Sequence, residues 1–174
     1  IVGQNNENEK QTFIKIALGQ IEKEKLILDA GCGSQPYKKY CSHLKYMSQD
    51  FGLYETDLKK SFFSSDEKYG YGKLDYISDI WEIKEKNNHF DAILCTEVFE
   101  HIPYPIETVK EFSRLTKKGG KLILTAPSNS LRHFDPYFFY SGFSDNWFKK
   151  ILSENHFEIE SIEPVGDYFS WLKV

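Results

Sequence analysis

Hydrophobic positions along the chain alternate between helical spacing and short continuous runs. Between about residues 9 and 23 the apolar residues recur at helical spacing, which predicts an amphipathic helix against one face of a sheet: Phe13, Ile14, Ala17, Leu18 and Ile21. The short runs predict strands at 26–28, 46–50, 75–79, 91–96, 121–126 and 157–162. Strands that alternate with helices are typical of an α/β domain built on a mostly parallel sheet.

Helix signals fill the spaces between these strands. Pro36 favours a first helical position and predicts a helix that continues to about Leu44. Pro105 likewise predicts a helix, whose apolar face toward the sheet is Ile106, Val109, Phe112 and Leu115. Ser144 is placed to cap a third helix, whose apolar residues are Trp147, Phe148, Ile151 and Leu152. Residues 51–75 and 127–143 are expected to be loops, and a loop as long as the second often binds a ligand.

Composition narrows the class of protein. The 174 residues and 20.4 kDa fit a single domain, 1–174, and a hydrophobic share of 40% is enough for a buried core. There are 22 Lys and Arg against 26 Asp and Glu, so no overall basic field attracts nucleic acid. We therefore expect no nucleic-acid partner, while the sequence leaves the oligomeric state open.

Cysteines and apolar runs bear on location. Cys32, Cys41 and Cys95 form no C-x-x-C pair, which predicts neither a disulfide framework nor a structural zinc site. No apolar run reaches the ~20 residues that span a bilayer, and the N-terminus has no signal-peptide core. We expect a cytoplasmic protein without membrane insertion. Residues 166–174 either begin a helix or precede a closing strand beyond the end, so we expect a domain trimmed at its C-terminal edge.

Glycine and acidic residues mark the ends of three predicted strands. The turn Gly31-Cys32-Gly33 follows the first strand and lets a ligand approach the backbone. Asp50 ends the second strand, 19 residues after Gly31, where a carboxylate accepts hydrogen bonds from ribose hydroxyls. Asp79 ends the third strand and suits an exocyclic amine. Because ligands of open α/β sheets lie at the carboxyl ends of the strands, these residues predict a site for an adenosine-like ligand.

The same turn argues against a dinucleotide. A dinucleotide fingerprint places a third glycine where this chain has Pro36, and Asp29, two residues before Gly31, would repel a pyrophosphate. The turn therefore favours a ligand with a ribose, an adenine and an ammonium group but no phosphate. It disfavours an NAD-dependent oxidoreductase.

Several segments, in order, resemble the motifs of class I S-adenosylmethionine-dependent methyltransferases, most nearly the small-substrate branch called methyltransferase type 11: 26–33, Asp50, 79–80, 90–102 and 115–122. The resemblance covers about residues 25–165. It implies a Rossmann-like, doubly wound, mostly parallel sheet with helices on both faces, in which the last, seventh strand is expected to be missing. It also implies S-adenosylmethionine as cofactor and in-line methyl transfer to a small molecule, which needs alignment and exclusion of water more than a catalytic triad.

The resemblance also implies individual roles in cofactor binding. Asp29 would support the turn, and Gly31 and Gly33 would lie against the methionine part of the cofactor. Asp50 would bind the ribose, and Asp79 and Ile80 would bind the adenine. The Cys95 carbonyl would bind the ammonium group, and Glu97 would lie toward the reaction centre. The sequence departs from the family at Gln35, where many members have a third glycine. This position lies at the start of the predicted helix, so we expect no lost ligand contact.

The acceptor side is expected in the aromatic loop that follows the fifth strand. His133 and Tyr137 are candidate catalytic residues, with His133 a general base for an oxygen nucleophile, and His101 and Tyr140 are candidate substrate contacts. The alternative is that these aromatics only fill the core. Glu97 and His101 share a helix face, but no third ligand is nearby in sequence, so a capping or packing role for His101 is favoured and no metal is expected.

One alternative function remains beside methyl transfer. The chain would then be a non-catalytic module that binds S-adenosylmethionine or a partner protein. The sequence does not decide whether the acceptor atom is oxygen, nitrogen or carbon.

Overall fold

The computed structural model describes residues 4–52 and 70–166, which contain three α-helices and five strands. The helices are α1 (Gln4–Gly19), α2 (Pro105–Leu115) and α3 (Asp145–Glu154). The strands are β1 (Leu26–Ala30), β2 (Lys45–Asp50), β3 (Tyr76–Ile77), β4 (Phe90–Thr96) and β5 (Thr116–Thr125). Short 3-10 helices occupy Lys38–Tyr40 and Phe99–His101.

The strands form one parallel sheet in the order β3-β2-β1-β4-β5. In the centre, Leu28 of β1 lies between Met47 of β2 and Ile93 of β4. Strand order reverses between β1 and β4, and such a switch point is where open α/β sheets bind ligands. The predicted Rossmann-like, doubly wound class is thereby confirmed.

Helices cover both faces of the sheet because successive strand residues point to opposite sides. Ile27 of β1 packs on one side with Ile14 and Leu18 of α1, all fully buried. Leu28 packs on the other side with Val109 and Phe112 of α2, and the apolar residues of α3 complete that layer: Trp147, Phe148, Ile151 and Leu152. The Ser144 hydroxyl accepts a hydrogen bond from the Trp147 amide, which confirms the predicted cap of α3.

Two helix predictions need correction in detail. The first helix spans Gln4–Gly19 rather than 9–23, and it ends at a glycine, the residue that most easily leaves helical geometry. In α2, Ile106 is 38% exposed, whereas Val109 and Phe112 are fully buried. Pro105, Val109 and Phe112 follow the i, i+4, i+7 spacing, so Ile106 falls beside the buried stripe.

The helix predicted over 36–44 is wrong. Gln35 has a left-handed backbone (φ 60°), and the amides of Tyr40 and Cys41 donate to carbonyls three residues earlier, at 2.9 and 3.0 Å. This is the 3-10 pattern, and it extends over Lys38–Tyr40 only. The apolar stripe is nonetheless used, since Tyr37, Cys41 and Leu44 are buried in the α1 layer.

Two strand predictions also fail. Residues 157–162 form no regular element, and Ile159 and Ile162 are exposed. A strand forms only where another strand pairs with its backbone. In the described part of the chain β5 is the edge strand and pairs with β4 alone, so residues 157–162 do not pair with it. The third strand is Tyr76–Ile77 rather than 75–79, so Asp79 lies just beyond it.

Some predictions fall on residues 53–69 and 167–174, which lie outside the described residues. These are most of the predicted loop 51–75 and nearly all of the segment expected to begin a helix or precede the closing strand. Cys32, Cys41 and Cys95 are all buried free thiols. Among the helices within 4–52 and 70–166, none is long and apolar enough to cross a bilayer.

Candidate functional site

A cavity of about 520 Å³ opens at the carboxyl ends of β1, β2 and β4. Its volume lies within the ~300–1,000 Å³ typical of small-molecule sites. The residues that border it are Lys10, Gly31, Gln49, Asp50, Phe51, Asp79, Ile80, Trp81, Glu97, Val98, Glu100, His101, Ile102, Pro103, His133, Phe134, Tyr137 and Phe139. The three strand ends at which the sequence analysis found glycine or acidic residues therefore all contribute to one cavity.

The turn after β1 is fixed by close approach and by hydrogen bonds. Gly31 has φ 69°, and a Cβ on it would lie 2.6 Å from Cγ2 of Val98. Its amide donates to the Gln49 carbonyl at 2.9 Å and to Gln49 Oε1 at 3.1 Å. Gly33, with φ 49°, donates its amide to Asp50 Oδ2 at 2.9 Å. The turn thus needs glycine at position 31 and is tied to the end of β2.

Gln35 takes the place of a family glycine without losing the turn. Its φ of 60° is the conformation that glycine adopts most easily. The side chain donates from Nε2 to the Lys73 carbonyl at 3.0 Å and accepts from Lys38 Nζ at 3.0 Å. These bonds hold a non-glycine residue in the left-handed region and tie the turn to the segment before β3.

Asp50 borders the cavity and is 4% exposed. Its Oδ1 accepts from the Gly52 amide at 3.2 Å and its Oδ2 from the Gly33 amide. Burial raises the pKa of Asp50, and the hydrogen bonds from these backbone amides oppose that rise. A carboxylate at the end of β2 on the cavity wall is placed to accept hydrogen bonds from ribose hydroxyls.

Asp29 lies in the core on β1 and does not border the cavity, and its role in supporting the turn stays a prediction. It is 1% exposed, and Tyr46 donates its hydroxyl to Asp29 Oδ2 at 2.6 Å. Burial raises the pKa of Asp29 to about 7, the Tyr46 hydrogen bond opposes that rise, and the nearby Asp50 charge adds to it.

Asp79 and Ile80 follow β3 at the far side of the cavity. Asp79 is exposed and Ile80 is 4% exposed, which gives a carboxylate beside an apolar wall. Trp81 extends that wall and packs edge-on against Tyr104 at 5.1 Å between ring centroids. A carboxylate next to flat apolar surface suits an adenine-like ring with an amine.

Glu97 and Cys95 occupy different environments although both end β4. Glu97 borders the cavity, has φ 53°, accepts from the Thr125 hydroxyl at 2.8 Å and lies 3.8 Å from Lys10 Nζ. Cys95 is fully buried in the α2 layer and does not border the cavity. Burial holds the pKa of the Cys95 thiol well above its usual range, so this thiol is a packing group.

Two histidines and a glutamate meet where the loop after β5 borders the cavity. The rings of His101 and His133 pack edge to face, with centroids 4.8 Å apart. Glu100 is 2% exposed, and its Oε1 lies 3.6 Å from His101 Nε2. Burial raises the pKa of Glu100 to about 7 and lowers the pKa of His101, so low dielectric disfavours charge on both groups.

The loop over residues 126–143 brings His133 to this place. Its two ends are held together by the Ser130 amide on the Ser141 carbonyl at 2.6 Å and the Phe143 amide on the Pro127 carbonyl at 2.9 Å. Farther along, the Phe139 amide donates to the Glu100 carbonyl at 2.8 Å. These are all backbone-to-backbone bonds, so they do not depend on which side chains the loop carries.

The two tyrosines predicted in this loop differ in position. Tyr137 borders the cavity, packs edge-on against Phe51 at 5.1 Å, and accepts from His101 Nδ1 at its carbonyl, 2.6 Å away. Tyr140 is 36% exposed, does not border the cavity, and donates its hydroxyl to the Pro103 carbonyl at 3.2 Å. The loop aromatics therefore both pack on one another and line the cavity.

The structure brings together Gly31, Asp50, Asp79, Ile80, Glu97, His101, His133 and Tyr137. It leaves Asp29, Gly33, Cys95 and Tyr140 off the cavity wall. Sequence reasoning missed Gln49 and Glu100, although each adjoins a residue that it singled out. Lys10 was missed because nothing in the sequence links α1 to the end of β4.

Comparisons with known proteins agree with this picture. A model of the family described as Methyltransferase domain matches residues 4–163. An uncharacterised protein of Methanocaldococcus jannaschii is 29% identical over 155 residues, 87% of this chain and 62% of that protein. A ubiquinone biosynthesis O-methyltransferase of Nitrosospira multiformis is 28% identical over 114 residues, 60% of this chain and 46% of the relative. The chain thus spans less than two thirds of the length of these curated relatives.

Solved structures share the fold. The YcgJ protein of Bacillus subtilis has a TM-score of 0.69 at 17% identity, covering 96% of this chain and 76% of that one. Phosphoethanolamine N-methyltransferase 2 of Haemonchus contortus, solved with S-adenosyl-L-methionine, has a TM-score of 0.62 at 16% identity, covering 86% of this chain and 36% of that one. At such identities the likeness establishes the fold alone.

Proposed function

This chain belongs to the methyltransferase domain family, whose model spans residues 4–163, and on that premise we propose that it transfers a methyl group from S-adenosylmethionine to a small-molecule acceptor. The observation that carries the proposal is that the Gly31 turn, Asp50, Asp79 and Glu97 border one cavity at the switch point of the sheet. The assignment to the type 11 branch stays a prediction.

The chemistry of the cavity fits this cofactor. Among residues 4–52 and 70–166, the acidic groups that border the cavity are Asp50, Asp79, Glu97 and Glu100, and the lysine that borders it, Lys10, lies near Glu97. Such a lining suits a ligand with an ammonium and a sulfonium and repels a phosphate. Asp50 would accept from the ribose hydroxyls, while Asp79 and Ile80 would hold the adenine.

S-adenosylmethionine supplies an already activated methyl group, so the chain's own task is to align the acceptor and exclude water. We place the acceptor near His101, His133 and Tyr137, and we call this part of the cavity the acceptor end and the part at Gly31 and Asp50 the cofactor end. Nδ1 of His101 and of His133 faces a backbone carbonyl and therefore carries the proton, which leaves Nε2 of each ring able to accept one from the acceptor. Curated relatives named O-methyltransferases favour an oxygen acceptor for this arrangement.

Isothermal titration with S-adenosylhomocysteine tests cofactor binding. The 174-residue chain is expected to bind it saturably at one site. Asp50→Ala is expected to abolish this binding, and Asp79→Asn to weaken it about tenfold, the usual scale of one lost hydrogen bond to a charged group. Asp145→Asn is the matched control, because it removes an exposed carboxylate at the start of α3.

Two results would contradict the proposal. Absence of heat with the intact chain would exclude the cofactor, and unchanged affinity in both Asp50→Ala and Asp79→Asn would exclude this site. Asp79 is exposed, so its variant is expected to fold even if Asp50→Ala disturbs the turn. Binding without methyl transfer to a broad panel of hydroxyl, amine and carbon acceptors would favour the non-catalytic module instead.

A further inference from the structure

Glu100, His101 and His133 form a cluster of potential metal ligands at the acceptor end of the cavity. One donor atom from each residue lies within 4.8 Å of the other two. A tetrahedral zinc ion with bonds of about 2.1 Å places its ligand atoms about 3.4 Å apart. Glu100 Oε1 and His101 Nε2, at 3.6 Å, already have nearly this spacing. His133 is half-buried on the loop, and an inward shift on the order of 1 Å, a common scale of side-chain adjustment on binding, would complete it.

Both imidazoles are held in a tautomer that leaves Nε2 able to bind a metal. His101 Nδ1 faces the Tyr137 carbonyl at 2.6 Å, and His133 Nδ1 faces the Leu131 carbonyl at 2.7 Å. A carbonyl only accepts hydrogen bonds, so the proton of each neutral ring sits on Nδ1 and the lone pair on Nε2. Metal-ligating histidines are usually oriented in this way, with the second ring nitrogen donating to a carbonyl or carboxylate.

Glu100 contributes an independent observation. Its side chain is 2% exposed and borders the cavity, yet no group in the described ranges 4–52 and 70–166 forms a hydrogen bond with Oε2. A buried carboxylate oxygen without a partner is costly, and a bound cation is a common way to satisfy it. The orphaned oxygen belongs to the residue that already approaches His101.

We propose that Glu100, His101 and His133 bind a divalent transition metal ion at the acceptor end of the cavity. Two imidazoles and one carboxylate are the donor set of many catalytic zinc sites and leave coordination positions open. Two nitrogen donors disfavour Mg²⁺ and Ca²⁺, which prefer oxygen ligands. The sequence analysis did not find this site because His133 lies far along the chain from the other two residues. Glu97, which the sequence analysis weighed together with His101, is not part of this cluster and accepts a hydrogen bond from Thr125 instead.

The ion would serve the proposed methyl transfer, and this part of the inference rests on that proposed function. With their Nε2 lone pairs on the ion, His101 and His133 would not act as the general base. A hydroxyl in an open coordination position would instead have a lowered pKa, so that its proton would pass to water more easily. The oxygen then forms a bond to the methyl carbon as the carbon–sulfur bond breaks, which releases neutral S-adenosylhomocysteine. Metal binding itself requires none of this chemistry.

Binding of Co²⁺ and Zn²⁺ to the tag-free 174-residue chain tests the site. Co²⁺ is expected to bind at one ion per chain with the visible absorption of a site with nitrogen and oxygen donors, and Zn²⁺ to displace it. His133→Ala and Glu100→Gln are each expected to lower affinity on the order of 100-fold. His156→Asn is the matched control, because it removes an exposed imidazole outside the cavity and asparagine tolerates its φ of 66°.

The outcomes separate this proposal from the methyltransferase proposal. Failure of Co²⁺ to bind at a single site overturns the metal site, as does unchanged affinity in both His133→Ala and Glu100→Gln, or an equal loss in His156→Asn. S-adenosylhomocysteine titration and thermal unfolding of the same variants verify folding. Retained cofactor binding with no metal binding would contradict the metal site alone.

Discussion

The two ends of the cavity are built by different means. At the cofactor end, the Gly31 amide bonds Gln49 and the Gly33 amide bonds Asp50, so backbone of one strand end is held by the next strand. At the acceptor end, the side chains of His101 and His133 donate to loop carbonyls, and the loop itself is not part of the sheet. The cofactor end is therefore held in place by the sheet, whereas the acceptor end is held in place by a loop.

This difference indicates which part of the cavity can change in sequence and which cannot. A turn tied to two adjacent parallel strands has little freedom to change without loss of the sheet. A loop anchored at a few backbone positions can alter its side chains while the sheet persists. We expect cofactor binding to depend on the first end and acceptor choice on the second.

The largest effect is expected from Gly31→Val at the cofactor end. The new side chain would overlap Val98 and occupy a left-handed φ, so we expect a loss of about 2–5 kcal/mol in the free energy of unfolding and no detectable S-adenosylhomocysteine binding. Chemical denaturation and titration measure the two effects.

A double variant checks the cause. Gly31→Ala combined with Val98→Ala relieves the overlap but not the backbone strain, so it should recover part of the stability lost in Gly31→Ala alone. Full additivity of the two single changes would show that the contact with Val98 is not the reason.

His133→Ala should separate the two ends. We expect turnover to fall on the order of 100-fold, the scale of a lost acid–base or metal-ligating group, while S-adenosylhomocysteine affinity stays within about twofold. Steady-state kinetics with an identified acceptor and titration of the same preparation provide the measurement. An equal loss of cofactor affinity would break the distinction between the ends.

Each end has a buried carboxyl group, Asp29 in the core on β1 and Glu100 on the cavity wall, and both should make the free energy of unfolding depend on pH in the same direction. The pKa values of Asp29 and Glu100 are raised to about 7, so between about pH 4 and 7 the folded protein holds protons that the unfolded chain releases. Stability is therefore expected to fall as pH rises through this window and to level off above it.

Asp29→Asn tests how much of this pH dependence comes from the carboxyl group at the cofactor end. The variant keeps an acceptor for the Tyr46 hydroxyl but removes the titration, so we expect it to be more stable than the parent at pH 8 by about 1–2 kcal/mol and less dependent on pH. Thermal unfolding from pH 5 to 8 reports both. An unchanged pH dependence would show that Asp29 is ionised throughout.

The smallest effect is expected from Tyr140→Phe in the acceptor loop. Its hydroxyl donates to the Pro103 carbonyl at a partly exposed position off the cavity wall, so we expect about 0.5 kcal/mol of stability lost and KM for the acceptor unchanged within about twofold. A large rise in KM would place Tyr140 at the acceptor after all.

The sequence was most informative where chemistry and structure are local. Gly31 and Asp50 each end a strand, and parallel strands bring their carboxyl ends to one edge, so their meeting follows from the strand pattern. Glu100 and His133 could not be paired in this way, because their approach depends on the path of a loop without periodic pattern. The strand predicted at 157–162 failed for a related reason, since pairing depends on a neighbour that alternation alone does not reveal.

The backbone bonds that close the loop over residues 126–143 have a practical consequence for protein engineering. Because the Ser130–Ser141, Phe143–Pro127 and Phe139–Glu100 bonds use no side-chain atoms, the segment 131–138 can be exchanged for one of equal length while its anchors remain. Gly142 is the residue to retain, since a Cβ there would overlap the Ser128 carbonyl. The loop can thus be exchanged as a unit, and a library of variants confined to it would test new acceptors while the residues of the cofactor end stay the same.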